Sequence, residues 1–277
     1  MKIAVFLSAI IGAHALAQTL PPAEVKPGEW GTLTFAESVK MSDADQLKLR
    51  LHAAETPKPF DVSKETYDVL VPKGYRKEHP HGLLLWISAS AKVSVPKDWE
   101  KVLDEKKIIL IGARNSGNPR DVFDRMRLAI DANHQMRQLY NIAPRRVWVS
   151  GFSGGARVAS MLGVCYADMF AGTICFMGVN FYEDTSFGKE LYQARYLPDD
   201  QLLAIAKRYC RYALVTGTKD FNLNNTTAIF EQGFKKQGFS AVQMFNIPEQ
   251  GHALPGAEWL AKCIDFMDQP RAESPKN

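Results

Sequence analysis

From residue 66 onward, short apolar runs alternate with stretches whose apolar residues recur every three or four positions. "IILIGA", "RRVWVS", "GTICFMG", "RYALVTG" and "AVQMFNIP" are runs of strand length. Between and after them, "DWEKVLDEKK", "PRDVFDRMRLAIDANHQMRQLYNI", residues 154–164, "DDQLLAIAKRY", residues 226–237 and "GAEWLAKCIDFM" carry helical spacing. In the long second helix, Pro119 falls near the first turn, and Val122, Met126, Ala129 and Ile130 share one face. Two earlier runs, "TYDVLV" (66–71) and "GLLLWIS" (82–88), read as strands joined by the loop "PKGYRKEHPHG". Strands that are apolar throughout must be covered on both sides. Their alternation with helices predicts an α/β protein with a mostly parallel, doubly wound sheet and helices on both faces.

The N-terminal part breaks this rhythm. Residues 18–65 are rich in Pro, Lys and Glu and read as an arm with early strand structure, in which "DQLKLRL" fits a short strand or a helical turn equally. The predicted organisation is a leader at 1–17, the arm at 18–65, the α/β domain at 66–268 and a flexible polar tail at 269–277. The 277 residues, 46% hydrophobic and 23% charged, fit one globular core. A net charge of +4 from 34 basic and 30 acidic residues, with no basic block, gives nucleic-acid binding no support.

Lys2, the apolar run from Ile3 to Gly12 and the small residues of Ala15-Leu16-Ala17 have the layout of a cleaved secretory signal, which predicts export to the periplasm or the exterior. The run is too short for a stable membrane span, which needs about 20 apolar residues. Export changes the reading of Cys165, Cys175, Cys210 and Cys263. Four cysteines in an oxidising compartment predict at least one disulfide, and their spacing chooses none of the three pairings.

The candidate chemistry begins at "VSGFSGG". If Val147–Val149 is a buried strand and a helix starts at Gly154, the chain must reverse sharply around Ser153, and glycines on either side remove the side chains that would obstruct it. G-x-S-x-G between strand and helix is the layout of a nucleophile elbow, which presents a serine hydroxyl clear of the sheet. In such sheets reactive residues gather beyond the carboxyl ends of the strands. "VTGTKD" places Asp220 just after one later strand and "NIPEQGHALP" places His252 after the last. Nucleophile, acid and base in that chain order make Ser153, Asp220 and His252 the candidate catalytic residues, with Glu183, Asp184 and Glu249 as alternative acids. The residue after the serine, Gly154, supplies a backbone N–H to an oxyanion hole. His79 and His81, flanking Pro80 in an expected surface loop, and His134 in the long helix read as non-catalytic. Arg114 and Asn115 in "GARNSGNPRD" and Asn180 in "GVNFYED" also follow strands, so they face the same crevice as candidate substrate-binding residues.

From Thr66 to Asp268 the sequence resembles the α/β-hydrolase superfamily, and within it the secreted esterases grouped with polyhydroxybutyrate depolymerases and feruloyl esterases. The resemblance rests on "VSGFSGGARVASMLGVCYADMFAG", "VTGTKDFN" and "PEQGHALP". It implies a serine esterase acting on a small-molecule or polymeric ester through an acyl-enzyme, with no metal and no cofactor. Many relatives carry His-Gly after the third strand, where a second oxyanion donor lies. Here that place reads "WISAS", which points to the N–H of Ala89, with Ser88 and Ser90 as alternatives. Only about 20 residues, 179–198, are free to cover the site, so little or no lid is expected. A serine peptidase of the prolyl-oligopeptidase type and a non-catalytic binding protein on a hydrolase scaffold are the competing readings. Retention of Ser153, Asp220 and His252 speaks against the second.

Overall fold

The computed structural model describes residues 25–270; the leader at 1–17 and most of the polar tail lie outside them. The framework is an eight-stranded sheet, built from β1 (Trp30–Leu33), β2 (Tyr67–Leu70), β3 (His81–Ile87), β4 (Ile108–Ala113), β5 (Ile142–Phe152), β6 (Gly172–Phe176), β9 (Arg211–Gly217) and β10 (Val242–Ile247). Its order is β1-β2-β4-β3-β5-β6-β9-β10, and every pairing from β4 to β10 is parallel. Only β2 runs against the others, pairing antiparallel with β1 and β4, so the sheet is mostly parallel, as the apolar runs predicted.

Burial on both faces follows from the two-residue period of a strand. Leu83 and Leu85 of β3 and Val147 and Val149 of β5 pack with Met126, Ile130 and Leu162 from α3 (Val122–Leu139) and α4 (Gly154–Cys165). The alternate residues Leu84, Trp86 and Trp148 turn to the other face, where α2 (Trp99–Glu105) and α7 (Ala257–Met267) supply Trp99, Leu103, Leu260 and Ile264. A third cluster on the α4 side joins Cys175 and Leu214 to Ala206 of α5 (Asp200–Tyr209) and to Ile229 and Phe234.

Several local expectations change. "DQLKLRL" is helical, within α1 (Ala44–Leu51). The long helix α3 starts after Pro119: Asp121 is its N-cap, accepting from the N–H groups of Phe123 at 2.9 Å and Asp124 at 3.4 Å, because a side-chain acceptor satisfies the helix's first donors better than proline does. The helix expected at 226–237 begins earlier, as α6 (Leu223–Ala228), and continues to Lys235 with π-helical bonding. His81 is no loop residue. It opens β3 and is 1% exposed.

The predicted disulfide is not formed. All four cysteines are buried thiols. Cys263 packs with the α2/α7 face, whereas Cys165 and Cys175 lie on the opposite side of the sheet, each filling space in a core as a small hydrophobe. Cys210 Sγ donates to the carbonyls of Ala167 and Phe170.

Candidate active site

Ser153 stands where β5 ends and α4 begins, with φ 53° and ψ −118°. The turn is held by its own N–H, which donates to Phe176 O at 2.8 Å, and by α4 pressing against the end of β3. A Cβ on Gly155 would lie 1.9 Å from Ile87 O, so only glycine lets helix and strand approach this closely. Asp220 follows β9 and His252 follows β10, the two places at which parallel strands deliver their loops to the same end of the sheet.

The structure brings the three side chains together. His252 Nδ1 donates to Asp220 Oδ1 at 2.8 Å, and His252 Nε2 lies 2.9 Å from Ser153 Oγ. A carboxylate only accepts, so the Nδ1 proton fixes the tautomer and leaves Nε2 as the acceptor for the serine hydroxyl. Asp220 is itself anchored, accepting from Asn222 N–H at 3.1 Å and Thr216 Oγ1 at 3.2 Å, with its side chain wholly buried. The imidazole is clasped between Phe221 and Phe152, whose ring centroids lie 4.1 and 4.9 Å away. Such an array lets a hydroxyl lose its proton as it attacks an electrophile.

The three alternative acids lie apart from His252. Glu183 accepts from Gln237 Nε2, Asp184 from Ala194 N–H, and Glu249 pairs with Lys219. Among the three backbone donors considered after β3, Ser88 N–H donates to Ser116 Oγ at 3.2 Å and Ser90 N–H to Ser88 Oγ at 3.1 Å. Ala89 N–H has no partner among the described residues, and neither has Gly154 N–H at the first turn of α4.

Beside this chain lies a cavity of about 640 Å³, a size suited to a small molecule. Phe221 and Asn222 form its border with Asp220 and His252. Asn180 lines it, with its Oδ1 accepting from Arg157 at 3.2 Å. Arg114 and Asn115 do not reach it: Arg114 forks onto Asp68, and Asn115 is exposed at φ 54° with its N–H on Ala91 O. The segment expected to leave the site uncovered folds into a two-stranded hairpin, β7 (Thr185–Phe187) and β8 (Glu190–Tyr192), and contributes Thr185, Leu191 and Tyr192 to one cavity wall.

Three residues went unnoticed in the sequence. Asn118, three positions past Asn115, lies over Gly154: a Cβ there would fall 2.0 Å from Asn118 Oδ1. Arg157 is one helical turn beyond Ser153, a spacing that puts both on one side of α4, so the i, i+4 rule was a usable signal. Phe221 is 76% exposed, a large apolar side chain whose place next to Asp220 marked it for the site.

No family model matches the sequence, and no curated protein matches it. Solved structures do resemble it. A ferulic acid esterase aligns with a TM-score of 0.58 at 16% identity, over 86% of this chain and 97% of its own. Est1E from Butyrivibrio proteoclasticus aligns with a TM-score of 0.51 at 14% identity, over 73% of this chain and 93% of its own. Dipeptidyl peptidase 4 of Porphyromonas gingivalis aligns with a TM-score of 0.53 at 14% identity over 79% of this chain, which spans only 34% of that protein. At such identities what is shared is the architecture. With its parallel sheet, its two helical faces and these neighbours, the chain has the α/β-hydrolase fold.

Proposed function

We propose that this protein is an exported serine hydrolase of carboxylic esters that works through an acyl-enzyme. The observation carrying the reading is the continuous hydrogen-bond chain from Ser153 Oγ through His252 to the buried Asp220. His252 Nε2 takes the hydroxyl proton as Ser153 Oγ attacks the ester carbonyl carbon, and Asp220 stabilises the imidazolium that results. The negative charge moves to the carbonyl oxygen, where the N–H groups of Gly154 and Ala89 meet it; one such donor is worth roughly 10² to 10³ in rate. The tetrahedral carbon then expels the alcohol oxygen, which takes the proton from His252, and Ser153 is left acylated. Water repeats the attack with His252 as base, releasing the carboxylic acid and restoring the hydroxyl. No step calls for a metal or an organic cofactor.

The layout of residues 1–17 supports export, and no helix among the described residues is long and apolar enough to cross a membrane. A mature chain beginning at Gln18 in the exported fraction, read by mass spectrometry, checks this part.

The peptidase reading draws on the likeness to dipeptidyl peptidases, whose fold is shared. Hydrolysis of 4-nitrophenyl butyrate alongside a dipeptidyl 4-nitroanilide, with Ser153→Ala as the blank, separates the two. Ester turnover that vanishes in the blank supports the esterase. Anilide cleavage without ester preference supports the peptidase, and no serine-dependent turnover of either overturns both.

A further inference from the structure

The cavity beside His252 holds an unusual charge arrangement. Arg157 lines it, largely buried, and donates only to neutral acceptors: Nη1 to Val179 O at 3.1 Å and Asn180 Oδ1 at 3.2 Å, and Nη2 to Asn222 Oδ1 at 2.8 Å. Two of its five N–H donors, on Nε and Nη2, have no acceptor among the described residues. Arg195 lines the same space, and neither arginine forms an ion pair among the described residues. Burial pushes the Arg157 guanidinium below its ordinary value and the charge of Arg195 pushes the same way, with the Asp220 carboxylate behind Asn222 offsetting them only in part. Two like charges facing one space at that cost call for an anion between them.

The wall of the cavity also holds polar atoms without a partner. Thr185 and Asn225, 2% and 6% exposed, both line the cavity, and their Oγ1 and Oδ1 atoms bond nothing. Buried polar groups without partners in a protein interior are costly; the Thr185 hydroxyl can donate to a ligand oxygen, whereas Asn225 Oδ1 only accepts and calls for a donor on the ligand's remainder. The charge balance narrows the ligand. Glu183 also lines the cavity, so the charged residues of the lining itself leave at most a single positive excess, which Asp220 behind Asn222 lessens. A carboxylate neutralises that excess, whereas a doubly charged phosphate overshoots it. Phe181, Leu191, Phe221 and Ile229 are among the apolar residues of the lining and suit a carbon skeleton.

We propose that the cavity receives a carboxylate carried by the substrate, so that the enzyme selects half-esters and related acidic esters over neutral ones, with Arg157 as the anchor and Arg195 as its partner. This rests on the ester-hydrolase reading for its chemistry, while the anion site stands on the cavity alone. Because Asn222 bonds both Arg157 and the Asp220 carboxylate, an anion seated on Arg157 also lies one residue from the acid that orients His252.

The test compares matched esters on the full protein. Mono-4-nitrophenyl glutarate and its neutral terminal amide place the charge on the acyl side; 4-acetoxybenzoate and 4-acetoxybenzamide place it on the alcohol side. In wild type, one pair favours the charged ester in kcat/KM by about tenfold or more, as a charge-assisted bond warrants. Arg157→Gln and Arg195→Gln each shrink that ratio by about fivefold or more, chiefly through KM, and taking the ratio within each variant cancels any general loss of activity. If both pairs are turned over with no preference for the charged ester, the carboxylate site is wrong and the hydrolase reading stands. If no ester is cleaved, calorimetric titration of glutarate and benzoate decides. Binding weakened by Arg157→Gln upholds the site while the hydrolase reading fails, and absence of binding by wild type overturns the site too.

Discussion

Arg125 donates from Nη2 to the carbonyl oxygen of Ser88, 3.0 Å away, and from Nε to that of Ser116, 2.6 Å away, so one buried cation ties the end of β3 to the loop after β4. Both acceptors are neutral, and burial pushes the guanidinium down to about 10. Ala89 follows Ser88 directly, so this tie sets the direction of the N–H proposed to meet the oxyanion. Arg125 is therefore expected to act as a positioning residue. Arg125→Lys, whose single ammonium lacks the rigid fork needed for both carbonyls, is expected to lower kcat by about 10² with KM little changed. Steady-state kinetics on a neutral ester measure this; a change confined to KM or to melting temperature would assign Arg125 to stability alone.

Ser153, His252 and Asp220 are expected to act as a unit with unequal shares. Ser153→Ala and His252→Ala each remove about 10⁴ to 10⁶ of turnover, and the double variant is scarcely worse, since the second change removes a partner already idle. Asp220→Asn keeps the fold and loses about 10³ to 10⁴, because its amide N–H can turn toward His252 and invert the tautomer. Near-full activity in Asp220→Asn would move the acid's role elsewhere, and additive losses in the double variant would dissolve the unit.

The adjacent glycines after Ser153 fail differently when a methyl group is added. At Gly155 the methyl meets the Ile87 carbonyl, which is fixed in the sheet, so Gly155→Ala is expected to cost about 3 kcal/mol or more. At Gly154 it meets the end of the Asn118 side chain, which can rotate away. Gly154→Ala therefore keeps most of its stability and loses turnover, and adding Asn118→Ala restores part of it. Thermal melts and kinetics on the three variants check the contrast, and equal melting temperatures for the two single variants would refute it.

His81 gives stability a pH dependence away from the site. It is buried at the start of β3, Nδ1 donates to His79 O at 2.9 Å, and Nε2 bonds nothing. Burial, chiefly, lowers its pKa below the ordinary 6.5. Below that value the unfolded chain takes up a proton that the folded chain refuses, so stability falls as pH drops from about 6.5 toward the folded pKa. Replacing His81 with Gln costs stability at neutral pH, and the deficit against wild type narrows at about pH 5. A deficit equal at both pH values would remove His81 as the cause.

The fold and the meeting of Ser153, Asp220 and His252 were legible in the chain because both are written in local or ordinal patterns. Apolar runs such as "IILIGA" and "RYALVTG" must be strands covered on both sides, and they are β4 and β9. Residues just past the ends of parallel strands converge whatever lies between them, which is why Ser153, Asp220 and His252, dispersed over a hundred positions, meet within hydrogen-bond distance. Everything that depends on the path of a loop or the direction of one side chain was decided only in three dimensions. Residues 115 and 118 share one loop and one residue type, yet a left-handed turn at Asn115 sends it to the surface and leaves Asn118 against Gly154. Four cysteines counted along a chain look like pairs, but the sheet puts Cys263 on the face opposite the other three, Cys165 lies in a core apart from Cys175 and Cys210, and all four stay thiols. Arg157 shows its helical register with Ser153 in the sequence, while the cavity it faces exists because the β7–β8 hairpin and the loop after β9 close around it. Spacing along the chain specifies periodicity and order; it carries no information on what a side chain meets across a gap, because that is set by packing among segments far apart in sequence.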